Sequence, residues 1–246
     1  MKKLIVMICL FAMPLFASAS LATPSLDDVV HNLQANQSKI HDMYAETTTT
    51  ITSSMAMPGQ ESKGPQKMVQ QGKMWTKGET KSKIEMLSPM KQVTITNGDK
   101  MAIIDSETGQ KVVQDLKKMR EKSGLGTSSG GQMNLDKAKE YFDLTLSQKD
   151  SDYVITGVPK KENKFLGKME FYVDGDKWVP VKIYMYDAKG KLMSQSTIEY
   201  QQVGDLYVPA KNISNISTPM GKMAVEMTFE NIKVNEGIDD GEFRVE

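Results

Sequence analysis

From Lys168 to Glu246 the sequence alternates apolar and polar residues, and turn signals interrupt the alternation at regular intervals. Met169, Phe171 and Val173 alternate with Lys168, Glu170 and Tyr172. Val179, Val181, Ile183 and Met185 alternate with Pro180, Lys182, Tyr184 and Tyr186, and Met223, Val225, Met227 and Phe229 alternate with Ala224, Glu226, Thr228 and Glu230. A period of two gives each strand one apolar face and one wet face. Between these runs stand Asp174-Gly175-Asp176-Lys177, Asp187-Ala188-Lys189-Gly190, Gly204-Asp205 and Pro219-Met220-Gly221, residues that tolerate positive φ or preset a turn. The expectation is sequential antiparallel hairpins, in a region with almost no side chain able to do covalent chemistry.

The preceding residues extend the pattern. Ser25 followed by Leu26-Asp27-Asp28 reads as a helix entrance, with acidic residues where the helix dipole favours them. Leu26, Val29, Val30, Leu33 and Ile40 then recur at helical spacing, which predicts one amphipathic helix over about 26–39. Strands are predicted over 44–54, 67–76, 81–87, 91–96, 100–104 and 111–114, with a tight hairpin at Asn97-Gly98-Asp99. The stretch Lys117–Gln132 is too polar and glycine-rich to pack, and reads as a flap or a plain loop. A short helix from about Asn134 to Phe142 and strands at 144–146 and 153–156 are predicted next. The total is about ten or eleven strands and two or three helices in one mainly β (α+β) domain. A single antiparallel sheet of that size curls, and one helix cannot cover its apolar face. The remainder would be a concave apolar surface suited to a ligand.

Residues 1–19 have the parts of a secretory signal: Lys2 and Lys3, the apolar stretch Leu4–Phe16, and Ala17-Ser18-Ala19, with a second possible end at Ala22. Export is therefore expected, with residues 20–246 as the mature domain. The only cysteine, Cys9, would leave with the signal, so the domain must stabilise itself by burial alone. The chain balances 31 basic against 31 acidic residues, and loss of Lys2 and Lys3 leaves a net charge of −2. That excludes the basic excess which nucleic-acid binding demands.

Chemistry is sparse. His31 and His41 are the only histidines and stand ten apart, which makes them surface or helix-end residues rather than a zinc site. There is no G-x-S-x-G and no base to pair with a serine, so no enzyme activity, cofactor or metal is expected. Asn36, Asn212 and Asn215 each begin an N-x-S sequence, a frequent chance match. Methionine is abundant, 19 in 246 residues. Met55-Ala56-Met57, Met220, Met223 and Met227 admit three readings: thioether ligands for Cu(I), ordinary core packing, or a pliable apolar wall for an irregular ligand.

Several stretches in order resemble the LolA/LolB superfamily, and more closely its outer membrane lipoprotein-sorting proteins. They are Gly72-Lys73-Met74-Trp75 leading to Lys81-Ser82-Lys83-Ile84-Glu85, then Ser88-Pro89 and Ile95-Thr96-Asn97-Gly98-Asp99-Lys100. They continue with Val179-Pro180-Val181-Lys182-Ile183, Tyr207-Val208-Pro209 and the ending Asn235-Glu236-Gly237-Ile238-Asp239-Asp240 to Phe243. The resemblance implies a half-open β-barrel with helices closing its mouth. It implies a non-catalytic periplasmic carrier of lipoprotein or lipid acyl chains, with an inner-membrane transporter and an outer-membrane acceptor as partners. The cavity residues expected are Met74, Met169, Phe171, Val181, Ile183, Met185, Met223, Val225, Met227 and Phe229, with Leu116, Met119 and Leu125 on a lid. The family's best-known carriers place an arginine just after the tryptophan strand to hook the lid. Here that place is Lys77-Gly78, so either Lys77 substitutes or opening works differently. The alternative function is an interaction or sensor module of an envelope transporter system, its cavity filled by its own side chains.

Overall fold

The computed structural model describes residues 23–54, 64–117, 135–163, 165–219 and 221–245. The leader, Met55-Ala56-Met57, Met220 and the lid residues Met119 and Leu125 fall outside them.

Thirteen described strands form one antiparallel sheet. They are β1 (Asp42–Ser53), β2 (Gln66–Lys77), β3 (Lys81–Ser88), β4 (Gln92–Asn97), β5 (Lys100–Asp105), β6 (Lys111–Asp115) and β7 (Phe142–Lys149). The series continues with β8 (Asp152–Pro159), β9 (Lys168–Asp174), β10 (Pro180–Tyr186), β11 (Leu192–Val203), β12 (Leu206–Thr218) and β13 (Gly221–Val234). Their order in space is β6-β5-β4-β3-β2-β1-β13-β12-β11-β10-β9-β8-β7. Every neighbour is a sequence neighbour except β1 and β13, which pair in the middle. The two edges, β6 and β7, are consecutive in sequence, so the sheet curves without closing and forms a half-open β-barrel.

The turns follow the chemistry read from sequence. Asp174 Oδ1 accepts the backbone N–H groups of Asp176 and Lys177, and Asp187 Oδ1 accepts those of Lys189 and Lys191. Gly98 sits at φ +61° between paired Asn97 and Lys100, in a left-handed conformation that glycine adopts without steric cost.

Helix α1 (Leu26–Gln37) begins in a capping box in which Ser25 and Asp28 exchange hydrogen bonds. Its buried stripe of Val29, Val30 and Leu33 packs with Ile155, Phe171 and Val173 of the sheet. Helix α2 (Leu135–Tyr141) adds Leu135 to the same core. The opposite face is covered over β4 and β5 by the C-terminal segment, where Phe243 is fully buried beside Ile95, Ala102 and Val245.

Among the described residues there are two helices and a 3-10 turn at Asp240–Phe243, and the thirteen strands exceed the expected ten or eleven. The surplus is β11 and β12, whose runs of Ser, Gln, Thr and Asn lack the apolar alternation of their neighbours.

Candidate functional site

Residues directly opposite in an antiparallel pair share a face. The register therefore carries one face across the whole sheet. A single cross-strand row links Leu146, Ile155, Phe171, Ile183, Ser196, Ser214, Val225, Ile51 and Met68. A parallel row links Met169, Met185, Ser194, Ile216 and Met223. On the other side lie Ile198, Asn212, Met227, Thr49 and Gln70. Phe229 pairs with Thr47, and Met74 pairs with Ala45 and Ile84. Since Ile155, Phe171 and Val173 touch α1, this whole face is the α1 face.

Nine of the ten expected cavity residues thus share one face. The exception is Val181, which lies at a register shift between Pro180 and Lys182 and has no cross-strand partner. Alternation in sequence does not reveal a bulge. Leu116 is described at the end of β6, where its N–H donates to Asp99 O. The proposed Cu(I) reading of Met223 and Met227 meets a face of Val225, Ile51 and Phe229 around them.

The α1 face has two parts. Under α1 and α2, Ile155 and Val173 are fully buried. Beyond β10, no described helix covers it: Met223, Val225, Met227 and Phe229 are half-buried, and Ile84 and Val112 are 42% and 54% exposed. Gly72 on β2 belongs to this open part, and a Cβ there would come within 2.6 Å of Glu85 O, so the backbone strands approach closely.

Its electrostatics are unusual for a surface. Among strand residues that the register places on the α1 face, there is no lysine or arginine, and Asp105 is the one carboxylate. Asp105 Oδ1 is occupied by the N–H groups of Glu107 and Thr108, which hold its pKa down. Charges stand on the other face, for example Lys211–Glu226 at 2.9 Å, Lys83–Glu242 at 2.7 Å and Lys168–Glu170 at 2.7 Å. On that same face burial pushes the Tyr186 phenol up to about 12, helped by its hydrogen bond to Glu170. His31 and His41 are exposed, and the described residues hold no cluster of three metal-ligating side chains.

Lys77 is placed against the C-terminal segment. It follows Trp75 on the opposite face, where its Nζ donates to Ile238 O at 2.7 Å and pairs with Asp240 at 2.9 Å. Lys81 joins the same carboxylate at 3.0 Å. Lys77 and Lys81 together clasp the C-terminal segment. The ending motif serves the same purpose, since Asn235 receives His41 N–H and donates to Lys39 O, and Gly237 N–H reaches Asp42.

The model of an "Uncharacterized protein"-like family matches residues 78–246. No curated protein matches the chain. Among solved structures, a LolA superfamily protein from Nitrosomonas europaea is 12% identical, with 90% of this chain and 98% of that chain covered and a TM-score of 0.59. An outer membrane lipoprotein-sorting protein domain from Vibrio parahaemolyticus is 14% identical, with 87% and 95% covered and a TM-score of 0.60. A DUF1329 family protein from Desulfovibrio piger is 15% identical, with 90% and 98% covered and a TM-score of 0.64. At these identities the likeness establishes a LolA-like fold.

Proposed function

Because the chain belongs to the "Uncharacterized protein"-like family matched over 78–246 and has a LolA-like fold, we propose that it is an exported, non-catalytic carrier of acyl chains. The signal-like leader supports export to the periplasm, and in this reading the α1 face is the side that receives the cargo. Lipoproteins or lipids are the cargo, with an inner-membrane transporter and an outer-membrane acceptor as partners.

The single observation that carries this reading is the open part of the α1 face. Half-buried Met, Val and Phe side chains lie there with no described lysine or arginine and with Asp105 as the one described carboxylate, next to a core that α1 fills. Such a surface is costly to leave in water and pliable enough for a flexible chain. Burying about 14 methylenes gains on the order of 10 kcal/mol at about 0.8 kcal/mol each, before the cost of ordering the chain. The test is native mass spectrometry and lipid extraction of protein purified from the periplasm, followed by uptake of a fluorescent acyl probe. Copurifying lipid and saturable uptake are expected. A protein that stays empty and takes up no probe overturns the carrier and leaves the interaction module.

A further inference from the structure

Resting on the carrier reading, we propose that Asn212, Ser214 and Ser196 form a carbonyl-reading site on the α1 face, which selects neutral acyl esters or amides over bare hydrocarbon and over fatty-acid anions. Asn212 and Ser214 belong to one of the N-x-S sequences. On β12 this spacing puts both side chains on one strand face. Ser214 Oγ donates to Asn212 Oδ1 at 3.2 Å, and Ser196 Oγ on β11 lies 2.7 Å from Ser214 Oγ.

The proton order follows from counting hydrogens. A hydroxyl has one hydrogen, and that of Ser214 is used on Asn212. Ser196 must then be the donor to Ser214, which uses its hydrogen too. The remaining donors are the two N–H bonds of Asn212 Nδ2, which meet no acceptor among the described residues. The cluster therefore offers donors to whatever occupies the face. Its surroundings are apolar, with Asn212 opposite Ile198 and Met227, and Ser196 and Ser214 flanked by Ile183 and Val225.

The amide is open to water while the face is empty, since no buried side-chain nitrogen or oxygen among the described residues lacks a partner. A ligand that displaces that water must supply an acceptor in its place, and an acyl ligand carries one where its chain joins the head group. The carboxylate of a free fatty acid also accepts, but it brings a full charge to a face whose described strand residues include no lysine or arginine to compensate it. A neutral carbonyl satisfies the amide without that penalty. The flanking apolar side chains on both sides hold the methylenes.

The test uses the mature protein loaded with a fluorescent acyl ester, displaced in turn by methyl oleate, sodium oleate and 1-octadecene, each below its aggregation limit. Methyl oleate is expected to displace it about tenfold better than 1-octadecene, the scale of one hydrogen bond, and better than oleate. Asn212→Leu, close in size, should bring methyl oleate down to the level of 1-octadecene while leaving 1-octadecene unchanged. Ser214→Ala, which frees the amide to rotate, should narrow the gap in the same direction and covers the case in which Asn212→Leu does not fold. Equal displacement by all three ligands, or an unchanged ratio in both variants, overturns the site and leaves the carrier standing. Failure of the wild-type protein to bind any acyl probe overturns the carrier and the site together.

Discussion

The two halves of the α1 face carry the same alternation and end in different physical states. Over β7–β10, Ile155, Phe171 and Val173 meet Val29, Val30 and Leu33 and are almost wholly buried. Over β13 and β1–β3, Met223, Val225, Met227 and Ile84 present a similar apolar row without a described helix against it. A period of two thus says which residues share a face. Among the described residues, what covers that face is the buried stripe of α1 together with Leu135 of α2, and these reach only a few strands.

The sharpest test of that difference is a pair of truncations. Leu33→Ala removes a side chain that is 1% exposed in the covered half, and should cost about 3 kcal/mol with a clear fall in melting temperature. Met223→Ala, in the open half, should cost less than about 1 kcal/mol because its surroundings are already partly hydrated. Equal losses in denaturant titrations would mean that both halves are closed cores.

Charge insertion gives the next largest contrast. Met227→Lys should leave the protein folded, since a half-buried position lets the ammonium reach water, while abolishing uptake of an acyl probe. A packed core would instead lose several kcal/mol to an unpaired buried charge. Circular dichroism melts and probe uptake on the same sample separate the outcomes.

Much of this division was hidden in the sequence, and particular residues say why. The hairpins, the α1 cap and the shared face of nine residues expected to line a cavity follow from periodicity and turn chemistry, which are local. Strands β11 and β12 are not marked because four of their α1-face positions are Ser194, Ser196, Asn212 and Ser214, which no hydrophobic pattern signals. Val181 fell at a bulge, where one extra residue breaks cross-strand pairing without changing composition. Lys77 could be placed near a motif but not on a face, because its partners Ile238 and Asp240 lie some 160 residues further along the chain.

A smaller effect is expected at high pH on the face opposite α1 in the covered half. The folded Tyr186 phenol is raised to about 12 by burial and by its bond to Glu170, whereas an unfolded tyrosine titrates near 10. A group with a raised folded value supports the fold fully below the unfolded value, and loses that support as pH rises through the folded one. Stability should therefore fall between about pH 10 and 12. Tyr186→Phe should flatten part of that fall in melting curves, with the open half's ligand uptake at neutral pH unchanged. An identical alkaline slope in the variant would remove Tyr186 from the account.

The smallest effect belongs to the clasp behind the open half. Hydrogen bonds from Lys77 and then Lys81 hold Asp240 below the usual carboxylate range. A lowered folded value means that the support is present above the unfolded value, and is lost as pH falls through the folded one. The carboxylate is 65% exposed, so screening keeps the contribution to global stability slight and the response should be local. Trp75 is placed to report it, since Lys83, which pairs with Glu242 of the same segment, sits 4.6 Å from its ring. In a Trp178→Phe background Trp75 is the only tryptophan, and its emission should change on acidification below the ordinary carboxylate range. Asp240→Asn should shift that emission already at neutral pH and remove one acid-dependent component, with acyl uptake on the other face unaffected. If the acid response of Trp75 is the same in Asp240→Asn, the clasp titrates elsewhere. If uptake falls with it, the two faces of the sheet are coupled and the C-terminal segment takes part in holding the open half in shape.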